Sequence, residues 1–171
     1  MQIGIIGNGF VGRSIAEVWK PSHEVRIHDR QQEKSPHSLL DVMECDLVFV
    51  CLPTPSNKDG SCDVTALDSF FAFASRKPQY AIKSTVPVGY TASVRADLDV
   101  CHNPEFLTAR TCIIDALTPH RQLIGKRIGG IGHILLREMY EKRFPGVPII
   151  EVNPNVRRWQ SWCAIRSSLS K

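Results

Sequence analysis

The 171-residue sequence lacks any apolar run that approaches the length of a membrane-spanning helix. Its first residues form a short strand-like run that meets glycines, which argues against a secretory signal peptide. Six cysteines are present without a Cys-x-x-Cys pair, and Cys101-His102 has no further ligands at zinc-site spacing. These absences predict a cytoplasmic protein with no membrane segment and no metal site.

The sequence also has little excess charge. Lys and Arg number 21 against 17 for Asp and Glu, and the basic residues are scattered rather than gathered into a stripe. We therefore expect no nucleic-acid partner. An apolar fraction of 43% and a charged fraction of 22% are typical of a folded globular domain, and the length suits one such domain or one domain plus a fragment of another.

Short apolar runs alternate with segments of helical periodicity along the chain. The runs predict strands at 3–6, 24–29, 46–52, 80–84, 100–102, 121–125 and 147–152. The periodic segments predict helices at 10–20, 64–77, 89–98 and 132–144, the last with an apolar face of Ile131, Leu135 and Met139. This alternation predicts an α/β fold of the Rossmann type, with a doubly wound, mainly parallel sheet.

A glycine-rich segment follows the first predicted strand and opens the first helix: Gly7-Asn8-Gly9-Phe10-Val11-Gly12. In this context Gly7 permits a tight turn, Gly9 lets the backbone approach a pyrophosphate, and Gly12 lets the helix pack closely on the strand. The helix N-terminus supplies free N–H groups to the phosphates. The whole segment is therefore predicted to bind a dinucleotide; the alternative is a tight turn without a ligand.

Asp29 ends the second predicted strand, about twenty residues after the glycines. A carboxylate there accepts hydrogen bonds from a ribose 2′-hydroxyl and repels a 2′-phosphate, so NAD is predicted over NADP. Arg30, the next residue, weakens this preference without reversing it. The alternative for Asp29 is a solvated surface acid.

Three further motifs follow in order: VFVCLPTP at 48–55, IKSTVPVG at 82–89 and NPEFL at 103–107. Together with the glycine-rich segment they resemble the N-terminal NAD-binding domain of the UDP-glucose/GDP-mannose dehydrogenase family. The resemblance covers residues 1 to about 156, and the segments 121–125 and 144–149 look like later strands of the family. Members oxidise the C6 hydroxyl of a nucleotide sugar twice, to a carboxylate, with two NAD molecules.

The resemblance implies roles for several side chains. It implies NAD contacts for Asp29, Lys34, Thr54 and Thr85, with Thr85 also beside the reacting sugar. Thr85 and Glu105 are then the catalytic candidates, and the substrate-lining segment is Glu105, Phe106, Leu107, Thr108 and Ala109. A threonine past the end of a parallel strand suits a ligand edge, and a carboxylate held in a stiff loop suits proton transfer.

Plainer interpretations of these residues stay open. Thr54 is also explained as part of a proline turn, Glu105 as a surface acid, and Lys34 as a solvated lysine.

The sequence departs from the family pattern in two respects. Ala109 occupies the place of a second family glutamate, and a methyl group accepts neither a proton nor a hydrogen bond. The family also uses a lysine and an asparagine on the helix that links its domains, and a cysteine nucleophile beyond it. Cys163 lacks the family's surrounding sequence. We therefore expect a truncated, inactive dehydrogenase domain.

The residues after Val156 suggest a reason for this loss. Residues 157–171 carry two tryptophans and three arginines without amphipathic order. With a permitted choice of codons, restoring one G after the valine codon makes the stretch read AEMAKLVRNSF, which resembles the linking helix with its lysine and asparagine. We predict a one-nucleotide deletion, which divides the chain into a domain at 1–156 and an altered tail at 157–171.

Other functions remain open at this point. The chain is also consistent with a non-catalytic NAD-binding module, with a decayed gene product, and with a different dehydrogenase of the hydroxyacid or phosphogluconate kind. The sugar of the nucleotide-sugar substrate is not determined by these residues. A homodimer is expected only where the linking helix is present.

Overall fold

The structure is a computed structural model that describes residues 1–127 and 129–152. Its strands are β1 Gln2–Ile6, β2 Glu24–His28, β3 Leu47–Val50, β4 Gln79–Ile82, β5 Asp99–His102, β6 Gln122–Gly125 and β7 Ile149–Val152. Its α-helices are α1 Phe10–Trp19, α2 Leu39–Met43, α3 Thr65–Phe73, α4 Tyr90–Ser93, α5 Cys112–Leu117 and α6 Gly132–Arg143, and a short 3₁₀ turn covers Gln32–Lys34.

One twisted sheet organises the described chain, in the order β2-β1-β3-β4-β5-β6-β7. The pairs from β2 to β5 are parallel, as is β6 with β7, whereas β6 meets β5 antiparallel at His102 and Gly125. Every residue of β3 is buried, because helices cover both faces of the central strands. The prediction of a Rossmann-type, mainly parallel α/β fold is confirmed.

Two apolar clusters fill the two faces of the sheet. One includes Trp19 of α1 and Leu136 of α6, which pack on alternate residues of the central strands such as Phe49. The other includes Leu67 and Phe71 of α3, packed on the opposite residues of the same strands. Alternate side chains of β3 and β4 therefore point to opposite faces of the sheet. In β4, Ala81 packs on the α6 face, and Tyr80 and Ile82 pack on the other face.

The structure corrects the helix predictions in several places, among them the helix predicted at 64–77, which ends at Phe73. The short helices α2 and α5 were not predicted, and α2 is marked only by a capping box in which Ser38 and Asp41 bond each other's backbone amides. The segment predicted as helical at 89–98 is helical only over Tyr90–Ser93. Ile131 precedes α6 and is 62% exposed, whereas Met139 is buried as predicted, together with Gly132, Leu136 and Tyr140.

The described residues lack two kinds of feature. No helix there is long and apolar enough to cross a bilayer. No cluster of three or more His, Cys, Asp or Glu side chains there has metal-site geometry. The predicted boundary at residue 156 and the altered tail at 157–171 lie outside the residues that the structure describes.

Candidate functional site

The carboxyl edge of the sheet collects the polar segments that the sequence singles out. Five parallel strands end there in the spatial order β2, β1, β3, β4 and β5. The residues that follow them are Asp29, Gly7, Cys51, Lys83 and Asn103. The order in which strands are added to the sheet reverses between β1 and β3, and open parallel sheets bind ligands in the crevice at such a point.

The three glycines of the glycine-rich segment differ in what a side chain at each position would meet. Gly7 has φ +93°, and a Cβ there would lie 2.6 Å from the Cys51 carbonyl oxygen. A Cβ on Gly12 would lie 1.9 Å from the Gly7 oxygen, so α1 packs against β1 only with glycine at this position. A Cβ on Gly9 would meet nothing within 4 Å. The space beside Gly9 is therefore open, at the uncapped N-terminus of a helix of ten residues.

Asn8 and Asp29 join this turn to the segment after β2. The Asn8 backbone N–H donates to Asp29 Oδ2 at 2.7 Å, and the Gln31 N–H donates to Asp29 Oδ1 at 2.9 Å. The Asn8 side-chain amide donates to the Lys34 carbonyl oxygen at 2.7 Å. Partial burial opposes ionisation of Asp29, but the Gln31 and Asn8 amides outweigh it and hold the pKa of this carboxyl below its ordinary value.

A cavity of about 320 Å³ opens between the ends of β1, β2 and β3. Its lining combines Asp29 and Arg30 with apolar groups, including Leu39, Pro53 and Phe70. An apolar slot bordered by a fixed carboxylate suits an adenosine, whose base is flat and whose ribose donates hydrogen bonds. The open face of Gly9 and the helix N-terminus suit a diphosphate. The residues present therefore fit a dinucleotide.

Thr54 and Thr85, predicted to contact NAD, lie in neighbouring loops after β3 and β4. The Cys62 sulfur is 3.9 Å from the Thr54 carbonyl oxygen and 3.4 Å from that of Thr85. The Ser84 hydroxyl donates to the Leu52 carbonyl oxygen at 2.5 Å. These contacts bring the two threonine segments together, with Thr85 exposed and Thr54 half-buried.

A buried polar cluster lies behind Glu105. Lys83 Nζ is 2.7 Å from Glu105 Oε2 and 2.9 Å from Asn103 Oδ1, and the Tyr140 hydroxyl donates to the same Asn103 oxygen at 2.7 Å. The Lys83 side chain is only 1% exposed, against 18% for Glu105. The Phe106 N–H donates to Glu105 Oε1 at 2.9 Å. Both carboxylate oxygens of Glu105 are thus held by the protein.

The charges of this cluster depend on one another. Burial by itself would lower the pKa of Lys83, but the Glu105 carboxylate reverses this and raises it above its usual value. Burial also raises the pKa of Tyr140 to about 12. At neutral pH the cluster therefore contains an ammonium group, a neutral phenol and an amide. This arrangement gives Glu105 a cation on its buried side and leaves its outer side toward a cavity.

That second cavity measures about 470 Å³ and lies between α1, α5 and α6. Of the predicted substrate segment, Glu105, Phe106, Leu107 and Thr108 line it, while Ala109 is exposed and is not part of the lining. Leu107 also packs into the core on the α6 face. The Arg121 guanidinium lies 5.4 Å from the centre of the Phe106 ring. The cavity thus combines a carboxylate, an aromatic ring and the Arg121 guanidinium, which suits a polar ligand.

His102, beside this cluster, predicts a pH dependence of stability. Its Nε2 is 3.1 Å from the Ser84 carbonyl oxygen, and burial lowers the pKa of the ring to about 4 from 6.5. The unfolded chain binds a proton more readily, so stability is lost as pH falls from 6.5 towards 4. We expect a loss on the order of 3 kcal/mol, measured by urea unfolding across this range.

The matched variant for this prediction is His102→Gln. Its amide can still donate to the Ser84 carbonyl but does not titrate. Between pH 6.5 and 4 the variant is expected to retain the part of the free energy of unfolding that the wild type loses through protonation of His102. Equal pH profiles for the two chains would contradict the assignment to His102.

The structure thus brings together part of what the sequence predicts and adds to it. The glycines, Asn8, Asp29 and Lys34 form one end of the site, and Thr54 and Thr85 meet in adjacent loops. The sequence by itself did not indicate roles for six other residues of this region: Cys62, Lys83, Ser84, His102, Asn103 and Tyr140. One of them had a signal in the sequence: Lys83 directly follows the apolar residues of β4. A lysine at the end of a buried strand needs a partner of opposite charge.

Comparison with known proteins identifies the family. The model of the UDP-glucose/GDP-mannose dehydrogenase family, NAD binding domain, matches residues 35–143. A UDP-glucose 6-dehydrogenase of Streptococcus pneumoniae is 29% identical over 163 residues, covering 73% of this chain and 41% of that protein. The UDP-glucose 6-dehydrogenase of Gallus gallus is 35% identical over 134 residues, covering 66% and 27%.

A solved structure agrees with these matches. The GDP-mannose dehydrogenase of Pseudomonas aeruginosa, crystallised as a ternary complex, has a TM-score of 0.78 and 26% identity, covering 99% of this chain and 51% of its own. The chain spans about half the length of these relatives or less. The glycine-rich segment and Asp29 precede the matched range, but the fold joins them to it in one site. The chain therefore belongs to the UDP-glucose/GDP-mannose dehydrogenase family, of which it contains the NAD-binding domain, with NAD as the cofactor.

Proposed function

We propose that this chain is the NAD-binding part of a nucleotide-sugar 6-dehydrogenase, which converts a C6 alcohol to a carboxylate with two NAD molecules. The observation that carries the proposal is the open space beside Gly9, at a helix N-terminus next to the fixed carboxylate of Asp29. The relatives named above support the substrate class. The 470 Å³ cavity beside Glu105 is a suitable place for the sugar.

Individual residues then have separable tasks. The backbone of residues 7–12 holds the diphosphate, and Asp29 accepts from the adenosine ribose, with Lys34 beside it. When bound, NAD supplies a hydride acceptor. Thr54 and Thr85 position the ribose and the reacting sugar through hydroxyls that both donate and accept. Glu105 accepts a proton from the sugar hydroxyl or a water, because Lys83 orients its carboxylate and its outer side faces the cavity.

The catalytic set is proposed to be incomplete as the printed sequence stands. Ala109 cannot do what the family glutamate does, and residues 157–171 do not carry the family's lysine and asparagine in matching sequence. We expect no NADH from this chain with UDP-glucose or GDP-mannose, and robust turnover would contradict this. Reading the DNA after codon 156 in three frames tests the deletion, since one restored G must produce the linking helix.

Two alternatives differ in what they predict. A non-catalytic NAD-binding module would bind NAD without turnover even when the reading frame is restored, whereas a decayed product would not bind NAD at all. The family match disfavours a dehydrogenase of another hydroxyacid type, because that match includes the IKSTVPVG and NPEFL segments. A restored linking helix is also expected to form the homodimer, which size-exclusion chromatography measures.

NAD is expected to stabilise the chain against heat. A ligand at about 100 times its Kd adds about 2.7 kcal/mol to the free energy of unfolding. For a chain of this size that corresponds to roughly 5–10 °C in Tm. Differential scanning fluorimetry with increasing NAD measures the shift, and inorganic pyrophosphate at equal ionic strength is the control. No shift at millimolar NAD would favour the decayed product.

A further inference from the structure

Arg30 occupies an unusual position at the rim of the 320 Å³ cavity. It directly follows Asp29, its side chain is exposed, and it lines the same cavity. Within the described part of the chain its guanidinium forms no hydrogen bond or ion pair. It nevertheless acts on Asp29, because its charge helps to lower the pKa of that carboxyl. Arg30 is therefore a charged group available to a ligand in this cavity.

The carboxylate beside it is, by contrast, fixed in place. Asp29 is held by the Asn8 and Gln31 amides at 2.7 and 2.9 Å, and its own N–H donates to the Ser35 hydroxyl at 3.0 Å. It cannot swing away from a ligand without losing these bonds. Lys34 adds a second cation, since its charge also lowers the pKa of Asp29. The carboxylate of Asp29 is thus fixed by hydrogen bonds, and two cations, Arg30 and Lys34, act on it electrostatically.

This charge pattern bears on the choice between two dinucleotides. A ribose 2′-hydroxyl needs only the carboxylate as acceptor, whereas a 2′-phosphate is repelled by the carboxylate and attracted by the cations. A guanidinium binds phosphate through paired N–H groups, which makes Arg30 the better partner of the two cations. We propose that Arg30 forms a latent binding site for the 2′-phosphate of NADP. In this proposal the Asp29 carboxylate is the one group that prevents NADP from binding more tightly than NAD.

This inference rests on dinucleotide binding in the proposed function, and binding measurements separate the two. Calorimetric Kd values for NAD and NADP are compared in the wild type, Arg30→Gln, Asp29→Asn and the double variant. Asp29→Asn is expected to raise the ratio of NADP to NAD affinity at least tenfold. The double variant is expected to lose that gain. Arg30→Gln alone is expected to weaken NADP several-fold and NAD less than twofold.

The outcomes are distinct. If the wild type binds neither dinucleotide, the proposed function itself fails. If it binds NAD, but Arg30→Gln weakens NAD and NADP by the same factor, Arg30 stacks on the shared adenine and the inference is overturned. Failure of Asp29→Asn to raise the ratio also overturns it. Lys142→Gln removes an equal charge from an exposed site on α6 outside this cavity and is expected to leave the ratio unchanged.

Discussion

Replacing Gly9 by alanine is expected to leave the fold intact and to weaken NAD binding at least about 100-fold, or roughly 2.7 kcal/mol. The residue has φ −77°, which alanine adopts freely, and the added Cβ meets no atom within 4 Å. The methyl group would instead occupy the space that a diphosphate needs against the backbone. Thermal unfolding and calorimetric NAD titration on the same preparation measure the two effects.

Gly12→Ala is the matched control for this prediction. It makes the same chemical change three residues away, but its Cβ would lie 1.9 Å from the Gly7 carbonyl oxygen. We expect a loss of about 3 kcal/mol or more in the free energy of unfolding, since backbone must shift to admit the methyl group. Unimpaired NAD binding by a folded Gly9→Ala chain would contradict the placement of the diphosphate at this turn.

The second large effect is expected at Lys83. Replacing it by methionine keeps the length of the side chain but removes the ammonium group from Glu105 Oε2 and one donor from Asn103 Oδ1. Removing one partner of a buried ion pair costs about 3–5 kcal/mol, and the partial exposure of Glu105 favours the lower end. Because the folded-state pKa of Lys83 is raised, its contribution is fully present at neutral pH and is lost only under strongly alkaline conditions.

Lys77 offers a direct comparison for this variant. Its Nζ lies 2.6 Å from Glu44 Oε2, a similar separation, but these side chains are 54% and 61% exposed. Lys77→Met is expected to cost at most about 1 kcal/mol, because water screens an exposed pair. Urea unfolding at pH 7 measures both variants. Equal losses for Lys83→Met and Lys77→Met would show that burial of the Lys83–Glu105 pair has no energetic importance.

The fold was largely predictable because its signals are local. The apolar run of β3 can be recognised from a few consecutive residues, and so can the glycines after β1. The short helices α2 and α5 were missed because five or six residues carry too little periodicity to be recognised. Ile131 was assigned to the apolar face of α6, but that face is decided by packing against β4 and β5, where Leu136 and Tyr140 fit instead.

In the candidate site, too, local features were predictable and contacts between distant segments were not. By itself the sequence determined where the chain makes its tight turn after β1, because Gly7 and Gly12 are required there by backbone conformation and close packing. Only the tertiary structure decided that Lys83 is buried against Glu105 and that Tyr140 completes the cluster from a distant helix. Backbone conformation is a property of neighbouring residues, whereas burial and charge pairing arise only when distant segments exclude water together.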